Sequence, residues 1–153
     1  MIHGKGQEYT LKMNDSQQSG KPSIVQPSMD LDALTEAVIG CAYRVHNTLG
    51  PGFLEKVYEN ALGIELREQG IEAIAQAPVN VFYRNQPVGE FYADLLIPGR
   101  LIIELKAVND IAKEHEVQVV NYLAASGIDH GLLINFGPSV QVKRKYREYR
   151  KRE

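Results

Sequence analysis

The sequence predicts an α/β fold in which helices pack on a mixed β-sheet. Two observations support this prediction. Apolar residues recur with a helical period before residue 70 and with a strand period of two after residue 78. Gly or Pro also separates most of the successive segments. The resulting order of elements is α-α-β-β-β-α-β-β, which is typical of a mixed sheet covered by helices.

The first two segments are predicted helices. Apolar residues recur at three- and four-residue steps over residues 31–49, and Asp30 is in position to cap the N-terminus. The run Gly50-Pro51-Gly52 ends this helix. A second helix is predicted over residues 53–69, and Gly70 ends it at the C′ position, where glycine is favoured.

The remaining segments are strands and a third helix. Turns are predicted at residues 85–87 and 98–100, where the chain contains Pro or Gly. The third helix is predicted over residues 112–126 and ends at Gly127. Five segments with alternating or continuous apolar residues are predicted strands: 78–84, 88–97, 101–108, 130–136 and 139–146.

Composition excludes several classes of protein. With 153 residues, 44% of them hydrophobic and 24% charged, the chain fits one soluble domain. No apolar run approaches the roughly 18–20 residues that cross a membrane. The single cysteine, Cys41, excludes an internal disulfide bond and fits a reducing compartment. The N-terminus lacks the apolar core of a secretory signal, so a cytoplasmic location is expected.

The chain is predicted to contain one domain between two short extensions. Residues 1–28 are rich in Ser, Gln, Pro and Gly near their end and are expected to form a disordered leader. The domain spans residues 29–146, and a basic tail spans residues 147–153. The last 11 residues hold seven Lys or Arg and two Glu, although the whole chain has a net charge of −2.

This basic end is a candidate contact for nucleic-acid phosphates. The residues that would make the contacts are Lys143, Arg144, Lys145 and Arg147. A solvated tail without a ligand explains the same composition equally well.

A predicted hairpin brings two carboxylates and an amine together. With a three-residue turn at 98–100, paired positions sum to 198, so Asp94 lies opposite Glu104 with Cβ atoms about 5 Å apart. Lys106 points to the same face because it lies two residues beyond Glu104. Facing like charges destabilise a sheet, and a divalent cation such as Mg²⁺ would offset that repulsion. The alternative is that all three form only the hydrated face of an amphipathic strand.

The opposite face of these two strands is predicted to belong to the core. All of its residues are apolar: Ala93, Leu95, Ile97, Ile103, Leu105 and Ala107. The face with the carboxylates also contains apolar residues, including Leu96 and Ile102, so it is expected to be half covered.

Two helical side chains are further candidates. Glu55 heads a row with Tyr58, Leu62 and Leu66 on one inward face, although an acid that only stabilises the helix dipole explains its position as well. On the third helix, Gln118 could hold a water or a phosphate, or it could be an ordinary exposed amide. The sequence contains neither a P-loop nor a zinc-binding spacing.

Taken together, Asp94-x9-Glu104-x-Lys106 follows a helix with an acid and precedes a helix with Gln118. This arrangement resembles the PD-(D/E)XK nuclease superfamily. Five ordered blocks resemble, more closely, the GxxExxR family within it, over about residues 31–145. The blocks are residues 46–59 (HNTLGPGFLEKVYE), 93–96 (ADLL), 103–107 (IELKA), 115–118 (HEVQ) and 133–137 (LINFG).

The resemblance implies a restriction-endonuclease-like α-β-β-β-α-β core, a mixed sheet flanked by helices, and phosphodiester cleavage that depends on Mg²⁺ or Mn²⁺. Asp94, Glu104 and the carbonyl of Leu105 would bind the metal. Lys106 would lie near the nucleophilic water, and Glu55 would act directly or through a water. Gln118 would match the glutamine of the following helix.

Two positions depart from the family pattern. Tyr58 stands where the family name has Arg, and Ala93 stands where the superfamily name has Pro. The expected function is a nuclease that acts on nucleic acid, with DNA as the favoured substrate, and a homodimer is expected if it cuts two strands. The alternatives are a nucleic-acid-binding module without catalysis and a protein-interaction module, each retaining the fold.

Overall fold

The computed structural model describes residues 29–148, so the predicted leader and the last five residues of the predicted tail lie outside the described residues. Helix α1 spans Leu31–Leu49, and the Asp30 carboxylate caps it by accepting a hydrogen bond from Ala33 N at 2.7 Å. Helix α2 spans Glu55–Glu68, two residues shorter at its start than predicted. Helix α3 spans Lys113–Ser126 and ends at Gly127 in the left-handed conformation.

A mixed five-stranded sheet, confirmed as predicted, forms the centre of the described part of the chain. The strand order is β1-β2-β3-β4-β5, and β3 and β4 are parallel while the other neighbours are antiparallel. Helix α3 makes the crossover that a parallel pair requires. The strands span Ile74–Tyr83 (β1), Gln86–Ile97 (β2), Leu101–Lys106 (β3), His130–Phe136 (β4) and Val140–Tyr146 (β5).

The β2–β3 hairpin has the predicted register. Its ladder pairs Leu95 with Ile103, Leu96 with Ile102 and Ile97 with Leu101, and the residue numbers of each pair sum to 198. The ladder ends there, one step before Asp94 and Glu104. These two residues therefore lie where the strands stop pairing through their main chains.

The sheet has an apolar core on each face. Helices α1 and α2 cover one face, which contains Leu95 and Ile103. Helix α3 covers the other face, which contains Ile102. The prediction that Ala93 lies on the same face as Leu95 is wrong, because Ala93 packs with Ile102 under α3. The two-residue alternation of β2 breaks at Asp94, where side-chain hydrogen bonds replace the ladder.

The first hairpin is longer than predicted. Strand β1 starts at Ile74, four residues earlier than expected, and the turn lies at Arg84 and Asn85, both with positive φ, rather than at residues 85–87. Strand β5 contains three of the seven basic residues of the C-terminal end, Lys143, Arg144 and Lys145. None of the described helices is both long and apolar enough to cross a membrane.

Candidate active site

Asp94 and Glu104 form a buried pair at the end of the β2–β3 ladder. Their exposed fractions are 9% and 4%. Asp94 N donates to Glu104 Oε1 at 3.1 Å, and Leu105 N donates to Asp94 Oδ2 at 2.8 Å. Each carboxyl group thus binds the main chain of the opposite strand, so the fold itself holds the two acids together. We refer to Asp94 and Glu104 as the acid pair.

Glu104 does not ionise fully near neutral pH. Its pKa is raised to about 9, chiefly by burial, then by the neighbouring charge of Asp94 and by a hydrogen bond between the two carboxyl groups. The Asp94 N–H and the Lys106 charge act in the opposite direction. Glu104 therefore holds a proton at neutral pH when no cation balances the charge.

Lys106 lies beside the acid pair with its ammonium uncommitted. It is half-buried at the end of β3, and its charge lowers the pKa of both Glu104 and Glu55. Within residues 29–148 it forms no ion pair. Leu105, between Glu104 and Lys106, is fully buried, and its N–H is occupied by Asp94. A role for its carbonyl oxygen as a metal ligand stays a prediction.

Glu55 approaches the acid pair from the other side. It is the first residue of α2, and the predicted inward row below it is confirmed, since Tyr58, Leu62 and Leu66 are fully buried. Burial raises the pKa of Glu55, and the charge of Asp94 raises it further, whereas Lys106 lowers it. No group of three or more His, Cys, Asp or Glu side chains in the described range is close enough to hold a metal. Whether Glu55 acts directly or through a water stays a prediction.

A second acid on α2 was missed by the sequence analysis. Glu59 is 3% exposed, accepts from Lys56 Nζ at 2.7 Å and accepts from Gln76 Nε2 at 2.8 Å. Gln76 Nε2 also lies 3.4 Å from Asp94 Oδ1, so it bridges the α2 acid and the acid pair. The signal for Glu59 was its position one helical turn after Glu55. Gln76 lies before the predicted start of β1, and nothing in the sequence indicates its positive φ of 51°.

Tyr58, which stands where the family pattern has Arg, secures the loop that leads into α2. Its hydroxyl donates to Gly50 O at 2.6 Å and accepts from Phe53 N at 3.2 Å. Its ring stacks on Phe136 with centroids 4.6 Å apart. Because α2 has no side-chain cap at Leu54, these contacts fix where the helix begins and hence where Glu55 lies.

Gln118 reaches the acid pair only through another residue. Its Nε2 donates to the Tyr122 hydroxyl at 3.0 Å. Burial raises the pKa of that phenol, and the nearby charges of Glu104 and Asp94 raise it further. No hydrogen bond joins Gln118 directly to either acid in the part of the chain that the structure describes. Its predicted catalytic role stays a prediction.

The predicted nucleic-acid contacts lie mainly on an edge strand and are partly neutralised. Lys143, Arg144 and Lys145 belong to β5, and Arg147 follows it. Ion pairs join Arg144 to Glu36 at 3.9 Å, Lys145 to Glu116 at 2.9 Å and Arg147 to Asp129 at 2.8 Å. Whether these residues bind nucleic acid stays a prediction.

Comparisons with known proteins bear on the family and the fold. The family model of the PD-(D/E)XK nuclease superfamily matches residues 32–148. A solved structure, titled "Crystal structure of SSO0001", superposes with a TM-score of 0.51 at 15% sequence identity, over 63% of this chain and 52% of that one. The chain thus spans about half the length of that protein, and the likeness supports the α/β, restriction-endonuclease-like fold alone. No curated protein matches the sequence.

Proposed function

Because the chain belongs to the PD-(D/E)XK nuclease superfamily, we propose that it is a metal-dependent nuclease that hydrolyses phosphodiester bonds of nucleic acid. We place it in the GxxExxR family on its five sequence blocks. One observation carries the proposal of activity: two buried carboxyl groups are held together by main-chain hydrogen bonds beside a lysine that forms no described ion pair. Such an arrangement destabilises the fold, so it is best explained by function.

The acid pair has the chemistry of a divalent-cation site. Carboxylate oxygens are the ligands that Mg²⁺ and Mn²⁺ prefer, and Mg²⁺ is usually bound by one or two carboxylates plus waters and substrate phosphate. Asp94 and Glu104 would hold the ion, with the Leu105 carbonyl as a further ligand. When bound, the ion would neutralise charge on the scissile phosphate and make water a stronger nucleophile.

The other residues of the site would position the reactants. The Lys106 ammonium would orient the attacking water and stabilise negative charge that develops on the phosphate. Glu55 would act directly or through a water next to the acid pair, since it is close enough to Asp94 for that charge to raise its pKa. Gln118 would act on the same side of the sheet through the Tyr122 hydroxyl.

The wider setting follows from the same proposal. Lys143, Arg144, Lys145 and Arg147 would contact phosphates, since cations along a nucleic-acid path raise affinity in a salt-dependent way. We propose DNA as the substrate, a cytoplasmic location, and a homodimer if both strands of a duplex are cut.

A cleavage assay tests the proposal. Purified protein is incubated with plasmid DNA and with single-stranded DNA, in Mg²⁺, in Mn²⁺ and in EDTA. Lys106→Met keeps the aliphatic stem and removes the ammonium, and Arg67→Ala removes one exposed charge at the far end of α2 as the matched control. We expect metal-dependent cleavage that is lost in Lys106→Met and kept in Arg67→Ala.

Two results would count against an enzyme. Cleavage that persists in Lys106→Met would come from a contaminating nuclease. Binding of DNA without cleavage in either metal would favour a nucleic-acid-binding module that kept the fold.

A further inference from the structure

A groove beside the acid pair contains exposed aromatic rings. It has a volume of about 860 Å³ and lies between α3 and the β1–β2 hairpin, within the size range of pockets that bind small organic molecules. Phe82 of β1 and Phe91 of β2 line it and are 60% and 46% exposed. We call it the α3 groove.

Tyr122 connects the α3 groove to the surroundings of the acid pair. Tyr122 lines the groove, and its ring lies 5.5 Å from that of Phe91. The same Tyr122 is close enough to Glu104 and Asp94 for their charges to act on its hydroxyl. The groove is therefore a neighbouring surface for a chain held at the acid pair.

The polar groups of the α3 groove are suited to uncharged, planar ligands. His115, Gln118 and Asn121 of α3 supply hydrogen-bond donors and acceptors on its wall. Of the described residues that line it, only Glu114 carries a fixed charge. A groove with aromatic faces and amide groups fits nucleobases, whereas phosphates would avoid it.

Phosphates have a separate place on the same helix. Lys113, Lys143 and Lys145 all lie close enough to Glu116 for their charges to lower its pKa. Glu116 does not line the groove, and it lies two residues from Gln118, so it faces another side of α3. Three ammonium groups around one carboxylate leave excess positive charge for a nucleic-acid backbone.

We propose that the α3 groove binds unpaired nucleobases, so that the substrate is single-stranded nucleic acid, or the single-stranded part of a branched one, rather than continuous duplex. This inference rests on the proposed nuclease function and names its substrate class. Bases of a duplex are stacked on one another and present no free face, whereas single-stranded bases stack readily on aromatic side chains.

Binding without cleavage tests this proposal. Fluorescence anisotropy measures the affinity of the full chain, in EDTA, for a short labelled single-stranded DNA and for the duplex of the same sequence. Phe82→Leu and Phe91→Leu keep apolar bulk and remove the ring. Tyr43→Leu, on α1 and 47% exposed, removes a ring far from the groove and is the control.

We expect each groove variant to weaken single-strand binding about ten-fold and to leave duplex binding nearly unchanged, while Tyr43→Leu changes neither. Thermal unfolding of each variant verifies that it is folded. Phe82 is the more exposed of the two rings, so Phe82→Leu tests the proposal even if Phe91→Leu is unstable. Three results would overturn the proposal: no single-strand binding by the wild type, no loss in Phe82→Leu, or equal loss for duplex.

Failure of this inference is distinguishable from failure of the nuclease proposal. Loss of single-strand binding in the groove variants, in a protein that never cleaves, would support the groove and refute the enzyme. Metal-dependent cleavage with no effect of either groove variant on binding would support the enzyme and refute the groove.

Discussion

The Glu104 carboxyl group lowers the stability of the metal-free protein, and its removal should raise it. Glu104 has a pKa near 4.5 when unfolded and about 9 in the fold, so at neutral pH it must take up a proton to fold. Each pH unit above the unfolded pKa costs about 1.4 kcal/mol, so the cost near pH 7 is about 3 kcal/mol. The penalty is absent below about pH 4.5 and grows until about pH 9.

Glu104→Gln isolates the cost of protonating Glu104, because the substitution preserves the shape of the side chain and removes its ionisable group. The amide oxygen can still accept the hydrogen bond from Asp94 N. The amide nitrogen can donate to the Asp94 carboxylate in place of the protonated Glu104 carboxyl group. We expect the variant to be about 3 kcal/mol more stable than the wild type near pH 7, and less than 1 kcal/mol more stable near pH 5.

Urea unfolding in EDTA between about pH 5 and pH 8 measures the difference. Glu148→Gln, at an exposed position, is the control and should change stability by less than about 0.5 kcal/mol. Mg²⁺ should then stabilise the wild type and not Glu104→Gln, because only the wild type retains both ligands. A variant that is less stable than the wild type, or a gain that does not grow with pH, would refute the raised pKa of Glu104.

Three further predictions follow from other features. Mn²⁺ binding should release about one proton per ion below about pH 9, because Glu104 must ionise to bind the metal. Calorimetry in buffers of different ionisation enthalpy measures the number of protons released, and a value of zero would contradict the prediction. Tyr58→Phe keeps the ring stack but loses two hydrogen bonds to the loop before α2, so it should lower stability by about 1–3 kcal/mol. It should also lower kcat with little change in KM. An unchanged kcat would exclude a role for Tyr58 in positioning Glu55. Gly63→Ala should stabilise the protein by up to about 1 kcal/mol, because the added methyl group enters open space beside α2. Gly137→Ala should destabilise it by about 1–3 kcal/mol, because the methyl group would overlap a main-chain carbonyl. Urea unfolding compares the two variants, and equal effects would contradict the packing at these two glycines.

Local patterns in the sequence were sufficient to predict most of the architecture. The bounds of these elements depend on residues that are close in sequence. Examples are the apolar period of the helices, the cap at Asp30 and the turn at 98–100. The hairpin register predicted that Asp94 and Glu104 would meet, and the inward row predicted that Glu55 would face the core. These features depend on spacing along the chain, which is why sequence reasoning reached them.

The parts that were missed depend on contacts between distant segments. Gln76 joins Glu59 and Asp94 across three elements, and its positive φ has no local signature. Ala93 packs on the face under α3, next to Asp94, whose carboxylate accepts from Leu105 N of the neighbouring strand. Neither feature is encoded in the local pattern of β2. Regular alternation was the correct assumption for an undistorted strand, and β2 departs from it at the candidate site.

The central claim is that the acid pair is a divalent-cation site, and anomalous diffraction from a crystal soaked in Mn²⁺ tests it most directly. We expect an anomalous peak between the carboxyl groups of Asp94 and Glu104, with Lys106 beside it and Glu55 reaching it through a water. The same soak of Glu104→Gln crystals should show no peak. A wild-type crystal with Mn²⁺ bound elsewhere, or with none at the acid pair, would contradict the account.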